Sequence, residues 1–139
     1  MYTSQIAEEI KQLLVTNELV DRAWIGMPKK IPSSAKTIAI IEPINDPEYH
    51  YTATKNKVVF KFTDFYITIL TKGKDETAFK NNWDTTDNIK TLLKENSKLN
   101  GKCKDSTLEE TLYGTPNRDE TNKGLTAGSQ ITLRCKNEV

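Results

Sequence analysis

Two periodicities divide the chain. Ile6, Ile10, Leu13 and Leu14 recur at helical spacing and form one apolar stripe. Thr3 or Ser4 can cap this helix, and Glu8 and Glu9 lie in its early turns, where the helix dipole favours acids. The helix is expected to end near Thr16 or Asn17. Leu19, Val20, Trp24 and Ile25 then form a short apolar stretch before Gly26, and Pro28 and Pro32 mark an irregular segment. Thr37–Glu42, TIAIIE, reads as a compact strand ended by Pro43. Ile38 and Ile40 share one face and Ala39 and Ile41 the other, so both faces are expected to be covered. A polar loop is expected over residues 45–57.

Val58–Lys72, VVFKFTDFYITILTK, is the most strand-like run. Its apolar set falls on even positions at Val58, Phe60 and Phe62, then on odd positions at Phe65, Ile67 and Ile69. That slip predicts one long, bent strand with a β-bulge near Thr63 and Asp64. A hairpin turn is the poorer option, because Thr-Asp lacks Gly or Asn. Phe79, Trp83, Thr86, Ile89, Leu92 and Leu93 return to helical spacing. They predict a second helix from near Asp75 or Thr77 to a stop at Asn100-Gly101, with Phe79 and Trp83 packed on a sheet. Ser106–Tyr113 reads as a half-exposed strand with Leu108, Glu110 and Leu112 on one face. A charged, turn-rich loop spans 114–124. In the last strand Leu125, Ala127, Ser129, Ile131, Leu133 and Cys135 share a face, and Thr126, Gln130, Thr132, Arg134 and Lys136 share the other.

Two striped helices must bury their stripes against something. The fold class expected is α+β: a mainly antiparallel or mixed β-sheet with two amphipathic helices packed on one face. The other sheet face stays partly polar and suits packing against copies of the chain. The 139 residues are read as a single domain.

Composition narrows the function mainly by exclusion. A net charge of +1 lacks the basic field of a nucleic-acid binder. Cys103 and Cys135 stand in no metal-ligand spacing and are expected to be free thiols; His50 is the only histidine. The opening MYTSQIAEEIKQLL is acidic and amphipathic, unlike a signal peptide, and no apolar run nears the roughly 20 residues of a membrane span. Phosphate-loop and nucleophile-elbow motifs are missing from the sequence. The adjacent acids Glu8-Glu9 and Glu109-Glu110 point to different sides and make poor acid/base pairs. No catalytic, cofactor-binding or metal-binding residue is therefore assigned. A binding module would use the loop trio Tyr49, His50 and Tyr51, and an enzyme would have to use His50.

The layout resembles a family: the tail terminator (tail-completion) proteins of long-tailed bacteriophages. The resemblance is carried by IAEEIKQLL, TIAIIEP, VVFKFTDFYITIL, FKNNWDTTDNIKTLL and LTAGSQITLRC, in that order. It implies a virion protein, made in the host cytoplasm, whose subunits form a hexameric ring. Such a ring caps the tail tube, stops its polymerisation and meets the head connector, while DNA passes the lumen without specific binding. Its partners would be its own copies, the tail tube protein and the head–tail connector protein, with no cofactor and no membrane. The ring interface is expected to use a sheet edge with the loops 45–57 and 114–124, including Tyr49, His50, Tyr51, Arg118 and Asp119. A different connector or stopper subunit of the neck, or a small non-viral α+β binding module, are the alternatives.

The alternation over 125–135 makes this segment a core strand, so truncation at Ile131 is expected to yield insoluble protein. A soluble fragment with a cooperative melt would overturn that assignment.

Overall fold

The computed structural model describes the backbone of residues 3–45, 48–53, 56–73, 75–114 and 125–138, and the side chains of 3–45, 61–73, 76–114 and 127–137. The elements are α1 (Thr3–Thr16), β1 (Arg22–Ile25), β2 (Thr37–Asn45), β3 (Glu48–Ala53), β4 (Asn56–Lys72), α2 (Asp75–Glu95), β5 (Asp105–Gly114) and β6 (Leu125–Glu138). Spatially the sheet runs β1-β2-β4-β6-β5, with β3 paired to the far part of β4. Among the described residues only β1 and β2 pair in parallel; the other pairs are antiparallel.

β4 organises the core. Phe65, Ile67 and Ile69 alternate onto one face and are fully buried there. They join Ile6, Ile10 and Leu14 of α1, Ile89 and Leu93 of α2, and Ala39, Ile41, Ile131 and Leu133 of the flanking strands. Both helices thus pack on one sheet face, and the fold is α+β. A smaller cluster on the opposite face holds Ile38, Ile40, Leu70 and Ala35, with Trp24 and Ile31 against it. The segment between β1 and β2 supplies Ile31 and Ala35, so β2 is covered on both sides. Asp21 holds this segment down: its Oδ2 accepts from the backbone N–H groups of Lys36 at 2.7 Å and Thr37 at 3.1 Å.

The structure departs from the sequence reading in five places. The apolar stretch around Trp24 is a strand, β1, in register with β2 from Arg22↔Ile38 to Ile25↔Ile41. The polar loop expected over 45–57 is instead largely β3, paired with β4 from Glu48↔Lys61 to Ala53↔Asn56. β4 extends past the end of β2, and its backbone groups need a partner there. Third, β4 carries no bulge at 63–64, since its register with β6 is unbroken from Phe60 to Thr71. The extra residue sits at the same level in β2, which is not ended by Pro43 as expected but runs on to Asn45: Pro43 faces Phe65, Asn45 faces Asp64 and Ile44 is left over. Fourth, Leu108 does not share a face with Leu112. A bulge at Glu109 separates Leu108↔Leu133 from Glu110↔Thr132 and Leu112↔Gln130.

The fifth departure concerns α2, which ends at Glu95, before the expected Asn100-Gly101 stop. Leu99, Asn100 and Gly101 do adopt positive φ, but inside the turn beyond the helix. The buried residues of α2 are Ala78, Asn82, Thr86, Ile89 and Leu93. Trp83 is 45% exposed and so is not the core residue expected. A polar seam replaces it. Asn82 Nδ2 donates to the Ile69 carbonyl and to Thr71 Oγ1, both at 3.0 Å, and Thr86 Oγ1 lies 2.6 Å from Ser129 Oγ.

Phe65 is among the largest fully buried side chains. Phe65→Ala is expected to destabilise the fold by about 3–5 kcal/mol, read as a shift of the denaturant midpoint. A loss below about 1 kcal/mol would show that the centre of β4 is not the core.

Candidate interface

The sheet face away from the helices is divided. At the β1–β2 end it is covered by the segment carrying Ile31 and Ala35. Across β4, β6 and β5 it presents mostly polar side chains, because even-numbered residues of β4 and β6 point outward here. Asp64 and Arg134 face each other in register. Arg134 donates from Nε to Oδ1 at 2.7 Å and from a terminal nitrogen to Oδ2 at 2.9 Å, a bidentate pair. Its guanidinium lies 5.4 Å from the Phe62 ring centre. The Asp64 side chain is only 8% exposed. Further along, Gln130 donates to Thr68 Oγ1 at 3.2 Å.

Where β5 crosses this face, Gly114 opposes Gly128. With no side chain on either, a shallow depression of about 230 Å³ opens between Leu70, Leu112, Thr68 and Gln130. Beside it, β5 is a sheet edge: among the described residues it pairs only with β6. Leu112 and Tyr113 are 51% and 52% exposed. Tyr113 turns to the helix side and meets Trp83 edge-on at 6.4 Å, and Trp83 in turn lies 6.2 Å from Phe79. At the opposite sheet edge, Ile25 of β1 and the following Met27 are exposed.

The interface residues expected from the sequence fall largely outside what the structure describes. Tyr49, His50 and Tyr51 lie in β3 rather than in a loop, opposite Phe60, Val59 and Val58. Their side chains fall outside the described ones, and Arg118 and Asp119 fall outside the described residues. Sequence reasoning missed the exposed set at the β5 edge because Trp83 and Leu112 look like core residues by type. The Gly114 and Gly128 pair is a weak signal that could have pointed to the depression.

Among the described residues no group of three or more His, Cys, Asp or Glu side chains could hold a metal ion. Both thiols are free and buried. Cys135 is pushed up by its contact with Cys103 and by burial, which keep it protonated. No helix among the described residues is long and apolar enough to cross a membrane. No known family model matches the chain, and no curated protein is significantly similar to it.

Removing Arg134 would leave the Asp64 carboxylate largely buried without its partner. Arg134→Ala is expected to cost about 1–3 kcal/mol, measured by chemical denaturation. Replacing both residues by Thr, a good strand former, should recover much of that loss. Equal losses in the single and double variants would mean that the stranded Asp64 carboxylate is not what destabilises Arg134→Ala.

Proposed function

We propose that this chain is a structural subunit of a phage tail terminator, assembling into a ring that caps the tail tube. One observation carries the reading. The ten-residue β5 is a sheet edge, and Leu112 and Tyr113 on it are half exposed. A long edge bearing apolar side chains is an aggregation liability unless something covers it. Closed assembly with copies of the chain is the economical cover. The small α+β subunit and the element order of the resemblance support the same role. So does a net charge of +1, since a lumen that passes DNA must not grip the phosphate backbone.

In this role the hexameric ring stops tube polymerisation and presents a surface to the head connector. The subunit acts by shape and contact, not as an enzyme, and resides at the tail–neck junction of the virion.

Light scattering over a range of concentrations, followed by negative-stain imaging, is expected to show a sixfold ring with a central hole. Added protein is expected to halt growth of tail tubes. Tubes that keep elongating at saturating protein would reject the terminator role, and a ring that binds only the connector would move the chain to another neck position.

A further inference from the structure

We infer that copies of this chain join head to tail through opposite sheet edges, the β5 edge of one against the β1 edge of the next. The inference rests on the ring reading above and specifies its contact. Seven large hydrophobic side chains are left exposed among the described residues, and five of them lie at the two ends of the sheet. Ile25 and Met27 mark the β1 end; Leu112 and Tyr113, with Trp83 beside them, mark the β5 end. Two apolar patches at opposite ends of one sheet are what a heterologous, ring-closing contact requires.

Charge decides between this arrangement and a two-fold one. β5 carries exposed Asp105, Glu109 and Glu110 and no basic residue. The β1 end carries exposed Arg22, Lys29 and Lys30. Glu18 and Asp21 precede β1, but the Asp21 carboxylate is engaged by the backbone at 36–37. A β5–β5 contact would set acids against acids, and a β1–β1 contact bases against bases. Exposed Lys104 before β5 and Glu18 before β1 run against this pattern, but on balance the β5–β1 contact sets opposite charges together and is favoured over both self-pairings.

Strand direction fits as well. β1 is parallel to β2, and three antiparallel steps lead from β2 through β4 and β6 to β5. β1 and β5 therefore run in opposite senses. Rotation about an axis along the strands preserves those senses, so β5 meets the next β1 antiparallel. β1 has four residues and β5 has ten, so side chains such as Tyr113, Trp83 and Met27 supply the remainder of the contact.

The test uses two variants, each blocking one edge: Ile25→Asp and Tyr113→Asp. Both positions are exposed, and a thermal melt checks that each variant folds. Sedimentation velocity on each alone is expected to show self-association shifted at least about tenfold upward in concentration. Mixed one to one, the two variants should form a heterodimer that grows no further, because each retains the edge that the other lacks. Arg22→Glu and Glu110→Arg form a second pair: each alone weakens association, and the doubly reversed chain recovers it.

The inference fails if Ile25→Asp assembles like the wild type, if the mixture stays monomeric, or if the wild type is monomeric up to about 1 mM. The tube-growth assay separates these failures from that of the proposed function. A wild type without edge contacts that still halts tubes overturns only the contact. A wild type that joins head to tail while tubes keep elongating overturns only the terminator role.

Discussion

The rest of the structure depends on β4 being held from both sides while it buries one row of side chains. Phe65, Ile67 and Ile69 fill the space beneath two helices, and β2 and β6 satisfy the backbone of that same stretch. Alternation then dictates what remains. The even positions must face away, where Asp64 is tolerated because Arg134 stands opposite it in register. The helix layer ends near Thr63, which borders a surface depression with Thr3, the first described residue of α1. Beyond that level nothing demands an apolar residue on the helix side, so the apolar set changes face without the strand changing register.

That constraint decides which surfaces are left open. Both helices are spent on one face of the sheet, and the cover on the other stops at β1, β2 and Leu70. Polar pairs, a glycine-floored depression and two sheet ends are left to solvent. Among the described residues these surfaces offer shape, edge hydrogen-bonding groups and charge.

Much of the fold was legible in the residues, and the misses share a physical cause. α1, β2 and β6 carry stripes long enough for the period to be unmistakable, and Ala127, Ile131, Leu133 and Cys135 are buried as the alternation requires. β1 has four residues, too few to show a period, and it is extended because β2 offers it a partner. β3 is polar and forms because β4 outruns β2. The face of α2 was misread because aromatic type outweighed fit: small Ala78 and amide-bearing Asn82 suit the gap over β4 and β6, and Trp83 is turned out to the β5 edge. The Asp64–Arg134 pair could not be read, since its members stand 70 residues apart. The β5 bulge at Glu109 leaves no mark in a loosely alternating sequence.

The position of β6 also has a consequence for how the chain reaches this state. The strand that lies between β4 and β5 is the last element in the sequence. Until it arrives, β4 can pair on only one side, and its buried row lacks Ile131 and Leu133. Closing the sheet centre joins residues as far apart as Phe60 and Glu138, a high-contact-order step. A chain emerging from the ribosome therefore carries a half-paired aromatic strand until residues 125–138 have followed it. The sheet centre closes only when residues 125–138 insert between β4 and β5, and misassembly competes most strongly before that step.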